Sequence, residues 1–203
     1  MTKLILASRS HARRTMLENA GLKFECKPSE VDEDKIKTEL LAKNAQPEEI
    51  ASALATETAK DISLKHRSAL VIGADQVLEF EGQLLSKAPS PEKARVKIEK
   101  LNGKKHTLYS SVSVAQNGNI LFNHSEAANL TMKKLDKKEL DTYCGIAGKA
   151  LTRSVGAYEL ESYGAWLFSS IKGDYFTILG MPLLQLLDFL MRNQRVEPWE
   201  MKI

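Results

Sequence analysis

The chain has 203 residues, of which 43% are hydrophobic and 27% charged, as in an ordinary globular protein with one good core. Its 29 basic and 26 acidic residues give a formal net charge of +3, which is too balanced to indicate a nucleic-acid or membrane surface. Cys26 and Cys144 lack metal-binding spacing and favour a reducing compartment over a disulfide framework. No signal peptide or membrane span is evident, so we expect a cytoplasmic protein.

The N-terminal segment predicts a strand, a polar turn and a helix. Leu4 to Ala7 form the strand, and Ser10 caps a helix over residues 12–20 that ends at Gly21. Free N–H groups and the positive end of the helix dipole attract phosphate at such a helix start. Arg13, in the first turn, can direct its guanidinium at the same anion. The alternative is a capped surface helix with solvated arginines.

An acidic stretch follows a short second strand predicted over residues 24–27. Residues 28–34 are predicted as a loop, which is either simply solvated or brings Glu33 to a metal ion shared with Asp75. The second alternative has a chemical basis, because hard divalent cations prefer carboxylate and phosphate oxygens. A long amphipathic helix is then predicted from Pro47 to about Leu64.

The central strand leads to a carboxylate in an unusual setting. Residues 70–72 form a buried apolar run, and Gly73 and Ala74 allow another backbone or a ligand to approach closely just before Asp75. An ionised group without a partner in a protein interior costs several kcal/mol. Asp75 therefore either faces a cleft, a cation or both, or it caps the next turn.

The remainder of the chain predicts short strands, helices and turns. A hairpin is predicted over 77–85 and a helix over 91–101. Two strands follow over 108–115 and 120–132, joined by a turn at 116–119. A helix then begins at Asp136 and Glu139 and ends near residue 144, and a last helix begins at Pro182. Glycines in the last third indicate tight turns between short segments. Residues 193–203 show no clear pattern.

Short motifs along the chain match a known family as an ordered set. The matching pieces are LASRS at 6–10 with Arg13 and Leu17, Asp32-Glu33, IGADQV at 72–77, Lys87, Gly156-Ala157-Tyr158 with Glu161 and Gly164, and 173–175 leading to 180–183. In this order they resemble the Maf family of nucleoside triphosphate pyrophosphatases, over roughly residues 4 to 190. Any one motif is weak, but the ordered set is specific.

The resemblance implies both a fold and an activity. The implied fold is α/β, a central mixed sheet flanked by helices with two lobes and a cleft, in one domain over residues 1–203 that forms a homodimer. The implied activity is cleavage of a nucleoside triphosphate between its α and β phosphates, with Mg²⁺ or Mn²⁺ as cofactor. Such an enzyme would remove modified or non-preferred nucleotides.

The resemblance also assigns residues to roles. Asp75 matches the family's proton acceptor, and Glu33 matches a second acidic residue near the metal ion. The substrate-binding residues are Ser8, Ser10, Arg13, Lys87, Gln76 and Glu161. Asp75 either deprotonates or orients a water molecule, or also holds the metal ion, and the sequence leaves both roles open.

Three positions sort the family by nucleobase. The branch acting on dTTP and UTP has Arg, Thr and Gln where this chain has Ala12, Gln76 and Glu161, whereas the 7-methyl-GTP branch has Gln and Glu at the last two positions. A glutamate can accept paired hydrogen bonds from guanine, and its charge suits a methylated, cationic ring. We therefore expect 7-methyl-GTP as the substrate.

Two alternatives to this function stay open. One is a dTTP or UTP pyrophosphatase of the same family. The other is a non-catalytic, nucleotide-binding division regulator, which the family's association with septum and division phenotypes suggests and to which the departures at Ala12 and Thr58 add weight. An RNA-binding module is disfavoured by the 6% aromatic content and the lack of a basic-aromatic motif.

Overall fold

The computed structural model of the protein describes residues 3–194 and 196. Its strands are β1 (Leu4–Leu6), β2 (Glu25–Cys26), β3 (Leu70–Phe80), β4 (Gln83–Leu85), β5 (Lys105–Gln116), β6 (Asn119–Met132) and β7 (Phe168–Lys172). Its helices are α1 (His11–Asn19), α2 (Glu33–Ala42), α3 (Pro47–Lys65), α4 (Pro91–Leu101), α5 (Lys137–Ala147), α6 (Ala150–Arg153), α7 (Tyr175–Leu179) and α8 (Leu183–Gln194), with a 3₁₀ helix at Tyr163–Leu167.

The strands form one seven-stranded mixed sheet, which confirms the predicted fold class. Its order is β2-β1-β3-β5-β6-β7, and β4 pairs with β3 outside this path. Strand β1 runs parallel to β2 and β3, with Ile5 opposite Val71, whereas β4 is antiparallel to β3 and β7 is antiparallel to β6. The apolar residues of β1 and β3 pair with each other and place their side chains in the core.

Strand β3 corrects one prediction, because it is continuous from Leu70 to Phe80 and Asp75 lies in its interior rather than at the end of a short strand. Gly73 does not interrupt the strand. A Cβ atom at Gly73 would lie 2.3 Å from the carbonyl oxygen of Ala55 and 2.7 Å from the backbone nitrogen of Ala59. The missing side chain therefore lets helix α3 pack directly on the strand.

Helix α2 corrects a second prediction, because the acidic stretch taken as a loop contains the start of a helix. The side chain of Asp32 caps this helix by accepting a hydrogen bond from the backbone N–H of Lys35 at 3.0 Å. Glu33 and Asp34 then occupy its first turn, where negative charge complements the positive end of the helix dipole. The same acidic residues that favour a solvated loop also favour a helix start.

The C-terminal third is more regular than the glycine pattern indicates. It contains α6, the 3₁₀ helix, β7 and α7 before α8 begins. Of the patternless segment 193–203, residues 193 and 194 belong to α8, and the backbone N–H of Val196 donates to Leu190. Residues 195 and 197–203 lie outside the described part of the chain.

Across the described helices, none has the length and apolarity that a membrane crossing requires.

The chain divides into two compact units, in agreement with the two predicted lobes. The first contains the described residues within 1–76, 110–126 and 180–203, and the second contains 77–109 and 127–179. One buried cluster of the first unit is Ile5, Ala7, Ile62, Ala69 and Val71. The core of the second includes Phe80, Ile98, Leu108, Leu130 and Phe168. The assignment of residues 1–203 to one domain stays a prediction.

We expect Gly73→Ala to destabilise the fold by about 1–3 kcal/mol, because the added methyl group would overlap backbone atoms that cannot move without displacing α3. Urea unfolding measures this change. Gly145→Ala is the matched control, because a Cβ atom at that position in α5 meets nothing within 4 Å. The control should be neutral or stabilising by up to about 1 kcal/mol. A Gly73→Ala protein as stable as wild type would contradict the close packing of α3.

Candidate active site

The turn between β1 and α1 is organised by two serines. The Ser10 hydroxyl accepts a hydrogen bond from the backbone N–H of Arg13 at 3.4 Å, and the backbone N–H of Ser10 donates to the Ser8 hydroxyl at 3.1 Å. The N–H groups at the first two positions of a helix have no acceptor within that helix. This turn therefore presents free backbone donors at the positive end of α1, as the sequence predicts.

The guanidinium of Arg13 is half-buried and held from two sides. Its Nε donates to the carbonyl oxygen of Gly180 at 2.9 Å, and its Nη1 donates to the Ser8 hydroxyl at 3.3 Å. Gly180 has a φ of +115°, and a Cβ atom there would lie 3.4 Å from the Arg13 Nε. Arginine has five N–H donors, so these two contacts fix the group and leave further donors for a ligand.

The carboxylate of Asp75 lacks a complete set of partners. Its Oδ2 is buried and has no hydrogen-bond partner within the described part of the chain. Burial raises the pKa of Asp75 to about 6; Arg13 opposes this shift, Glu33 adds to it and Lys37 opposes it. Buried polar atoms without partners are rare in native proteins, so this oxygen indicates a position where a ligand, a cation or a proton binds.

Glu33 and Lys37 complete the charged group around Asp75. Glu33 begins α2, and its Oε2 lies 3.6 Å from the Nζ of Lys37, one helical turn later. Both side chains act electrostatically on Asp75. Burial lowers the pKa of Arg13, whereas the carboxylates of Asp75 and Glu33 raise it. Two predicted site residues, Arg13 and Glu33, thus share an electrostatic environment with Asp75.

The sequence prediction does not include Lys37. Its omission follows from treating residues 28–34 as a loop, because a loop gives no spacing rule for the residues after it. The spacing of four residues between Glu33 and Lys37 is the signal that would identify the lysine once a helix is assigned.

The three proposed specificity positions lie in different environments. Ala12 is half-buried at the second position of α1, and the Gln76 side-chain amide donates to the fully buried Ser110 hydroxyl at 2.9 Å. Neighbouring residues of a strand project to opposite faces, so Gln76 and Asp75 leave β3 on opposite sides. Glu161 is exposed in a turn of the second unit, shortly before the 3₁₀ helix.

The surroundings of Lys87, Thr58, Lys60 and Glu159 bear on the sequence assignments. Lys87 is exposed in the irregular segment between β4 and α4, within the second unit. Thr58 is only 7% exposed in α3, and Lys60 forms a surface ion pair with Glu57 at 3.3 Å. Lys60 therefore does not occupy the place of the lysine that Thr58 replaces. Glu159 forms an ion pair with Arg153 at 2.9 Å.

The donor set around Asp75 restricts which metal site is feasible. Within the described residues, no group of three or more His, Cys, Asp or Glu side chains is arranged to hold a metal ion. Mg²⁺ commonly binds to one or two carboxylates and completes its shell with water and substrate phosphates. Asp75, with its unpartnered oxygen, and Glu33 fit a cation that arrives with a phosphorylated ligand.

Comparisons with known proteins place the chain among close relatives. A family profile described as Maf-like protein matches residues 3–193. A protein of Caulobacter vibrioides named nucleoside triphosphate pyrophosphatase is 48% identical over 94% of this chain and 95% of its own length. A protein of Brucella abortus named 7-methyl-GTP pyrophosphatase is 40% identical over 96% of this chain and 98% of its own length. A crystal structure of a dITP/XTP pyrophosphatase from Mycobacterium abscessus matches with 14% identity and a TM-score of 0.36, covering 66% of this chain and 76% of that one.

We expect Asp75→Asn to stabilise the fold at neutral pH. The folded-state pKa near 6 lies above the unfolded value of about 3.9, so the free energy of unfolding falls as pH rises from about 4 to 6. Asparagine does not ionise, so the variant does not lose the unfolding free energy that wild type loses when Asp75 ionises, about 1–3 kcal/mol at pH 7.5. Near pH 4 the variant and wild type should have similar stability, as measured by urea unfolding at both pH values.

Asp61→Asn is the matched control for this experiment. Burial raises the pKa of Asp61, but hydrogen bonds from Lys65 and Ser29, both at 2.8 Å, lower it overall. Loss of this charge should therefore destabilise the fold at pH 7.5, in the opposite direction to Asp75→Asn. If Asp75→Asn is as destabilising as Asp61→Asn at that pH, the Asp75 carboxylate is well paired and the interpretation of its buried oxygen is wrong.

Proposed function

The chain belongs to the Maf family, and on this premise we propose that it hydrolyses nucleoside triphosphates to monophosphates and pyrophosphate, with 7-methyl-GTP as the preferred substrate. Several of its curated relatives are nucleoside triphosphate pyrophosphatases by name. The observation that carries the proposal is the buried Asp75 oxygen, which has no hydrogen-bond partner among the described residues and lies in an electrostatic environment that Arg13 shares.

The triphosphate binds at the start of α1 in this proposal. The backbone N–H groups of the first turn and the helix dipole attract the phosphate oxygens. Arg13 adds a guanidinium that Gly180 and Ser8 already hold in place, so little conformational freedom is lost on binding. The Ser8 hydroxyl accepts hydrogen bonds from Ser10 and Arg13 and keeps its own proton to donate. Lys87, in the second unit, is proposed as a further phosphate contact.

Asp75 is the proposed proton acceptor. A water molecule attacks the α-phosphorus, the bond from that phosphorus to the oxygen bridging the α and β phosphates breaks, and pyrophosphate leaves with that oxygen. The water proton passes to Oδ2 of Asp75. A pKa near 6 leaves Asp75 ionised at neutral pH and makes it a stronger base than an ordinary aspartate. Phosphoryl chemistry depends chiefly on positioning and charge neutralisation, which fits the fixed charges around Asp75.

A divalent cation, Mg²⁺ or Mn²⁺, is the proposed cofactor, and Asp75 and Glu33 are the residues that would hold it. When bound, such an ion neutralises charge on the phosphate oxygens. Arg13 and Lys37 supply fixed positive charge in the same environment. A carboxylate that ligates a cation has a lower pKa than the same group without one, so metal binding and proton acceptance by Asp75 compete.

Substrate choice rests on the nucleobase-sorting positions Gln76 and Glu161. A glutamate suits the donor pair and the positive ring of 7-methylguanine, and a relative from Brucella abortus is named for 7-methyl-GTP. The Gln76 amide donates to the Ser110 hydroxyl at 2.9 Å on the side of β3 opposite to Asp75, so Gln76 supports the proposal by its residue type and Glu161 is the proposed direct contact with the base. Ala12 offers no polar group for the base. The protein is further proposed to be a cytoplasmic homodimer that has no nucleic-acid partner.

We expect wild-type protein to release pyrophosphate from 7-methyl-GTP in the presence of Mg²⁺ or Mn²⁺, and Asp75→Asn to lower kcat about 10³-fold because no carboxylate accepts the proton. Asp61→Asn is the control, since it removes a carboxylate of the same unit that pairs with Lys65 on the surface of α3. An Asp75→Asn protein with wild-type kcat would contradict the mechanism. Nucleotide binding without turnover by folded wild type would instead support the regulator alternative.

We expect Glu161→Gln to reduce the preference for 7-methyl-GTP over dTTP and UTP about tenfold, because an amide replaces one acceptor oxygen by a donor NH₂ group and carries no charge. The measurement is kcat/KM for all three nucleotides. Glu159→Gln is the matched control, since Glu159 is two residues away and paired with Arg153. Preference of wild type for dTTP or UTP would keep the enzyme class and contradict the specificity proposal.

A further inference from the structure

Lys97 on helix α4 makes contacts that the proposed chemistry does not explain. Its Nζ donates hydrogen bonds to the backbone carbonyl oxygens of Ser86 and Val155, the second at 2.9 Å. The two carbonyl groups belong to segments 69 residues apart in the sequence. The side chain is partly buried, whereas Lys93 and Lys100 of the same helix are exposed.

Both segments lead directly to residues assigned to the substrate. Ser86 immediately precedes Lys87, the proposed phosphate contact. Val155 immediately precedes the Gly156-Ala157-Tyr158 motif, which continues to Glu161, the proposed base contact. One ammonium group thus connects the chain at its two substrate-binding segments in the second unit.

The segment after Val155 needs such restraint, because it contains a strained residue. Ala157 has a φ of +60°, a left-handed conformation that a residue with a Cβ atom rarely adopts. The Tyr143 hydroxyl donates to the Ala157 carbonyl at 3.1 Å, and the Tyr158 hydroxyl lies 2.6 Å from Nε2 of the buried His106. Tyr143 of α5 and His106 of β5 thus hold the segment after Val155, and Lys97 of α4 adds a third contact at Val155 itself.

The electrostatics of Lys97 indicate a tether rather than an ion pair. Its neighbour Arg95 pairs with Asp141 and Glu99, but no acidic side chain of the described residues lies within ion-pair distance of Lys97. Burial lowers the pKa of Lys97 to about 8. An ammonium has three N–H donors and a neutral amine has two, so either form can serve both carbonyl groups.

We propose that Lys97 is a positioning residue that holds the Lys87 segment and the 155–161 segment together, so that the second unit presents its phosphate contact and its base contact in a fixed arrangement. The proposal rests on the substrate roles given above to Lys87 and Glu161. Its consequence is that a residue with no substrate contact of its own sets the substrate affinity.

Lys97→Met tests this proposal, because methionine keeps an apolar stem and removes every donor. We expect KM for 7-methyl-GTP to rise about tenfold with kcat changed by less than about threefold, because binding groups are displaced while Asp75 is not. Lys93→Met, a charge-matched change on the same helix, should leave both constants unchanged. In a Lys87→Met background the effect of Lys97→Met on KM should fall to about threefold, because the part that acts through Lys87 is already lost and only the part that acts through the 155–161 segment remains.

Hydrogen exchange of backbone amides provides a readout that does not depend on activity. Amides of residues 86–90 and 154–161 should exchange at least about tenfold faster in Lys97→Met than in Lys93→Met, with the remainder of the second unit unchanged. Unchanged exchange in these segments would overturn the tether even if wild type proves inactive. Faster exchange together with an unchanged KM in an active enzyme would overturn the positioning role. Inactive wild type with faster exchange would overturn the proposed function and leave Lys97 a structural tether only.

Discussion

The Asp75 carboxylate is the group on which the site depends. It lies inside a continuous strand, with one oxygen buried and unpartnered in the described part of the chain. Two residues earlier, Gly73 lets α3 pack directly on the same strand. Arg13 and Lys37 offset part of the cost of burying the charge, whereas Glu33 adds to it. Burial of this carboxylate therefore disfavours its ionised form and raises its pKa to about 6, which is the feature on which the proposed role of Asp75 depends.

Arg13 shows how distant parts of the sequence cooperate around that carboxylate. Its guanidinium is held by Ser8 from the N-terminal turn and by Gly180, 167 residues away in the chain. A charge that is fixed before the ligand arrives stabilises developing negative charge without reorganisation during the reaction. A glycine at position 180 contributes to this arrangement through its positive φ and through the space it leaves beside Arg13.

Local features of this fold are predictable from sequence, and contacts between distant segments are not. The Ser10 cap, the Pro47 helix start and the turn at 116–119 depend on residues within one turn of each other, and each occurs where predicted. The continuity of β3 depends on α3 filling the space at Gly73, which no local pattern reveals. The role of Lys37 depends on recognising α2, and the contacts of Lys97 join segments that the sequence separates widely.

The two units compensate a partly buried charge in different ways, Asp75 in the first unit and Lys97 in the second. The difference indicates a separate role for each residue. In the second unit, backbone carbonyl groups accept the hydrogen bonds of Lys97, so the ammonium is used in holding the chain. In the first unit, the charge of Asp75 is compensated mainly by nearby cationic side chains, and one of its oxygens has no hydrogen-bond donor among the described residues. In natural proteins, local propensity, core packing and hydrogen bonding usually favour the same structure, and the exceptions are found at functional sites. Asp75 is such a departure, since burial of an oxygen that has no partner among the described residues serves neither packing nor stability, whereas Lys97 holds two segments of its own unit together.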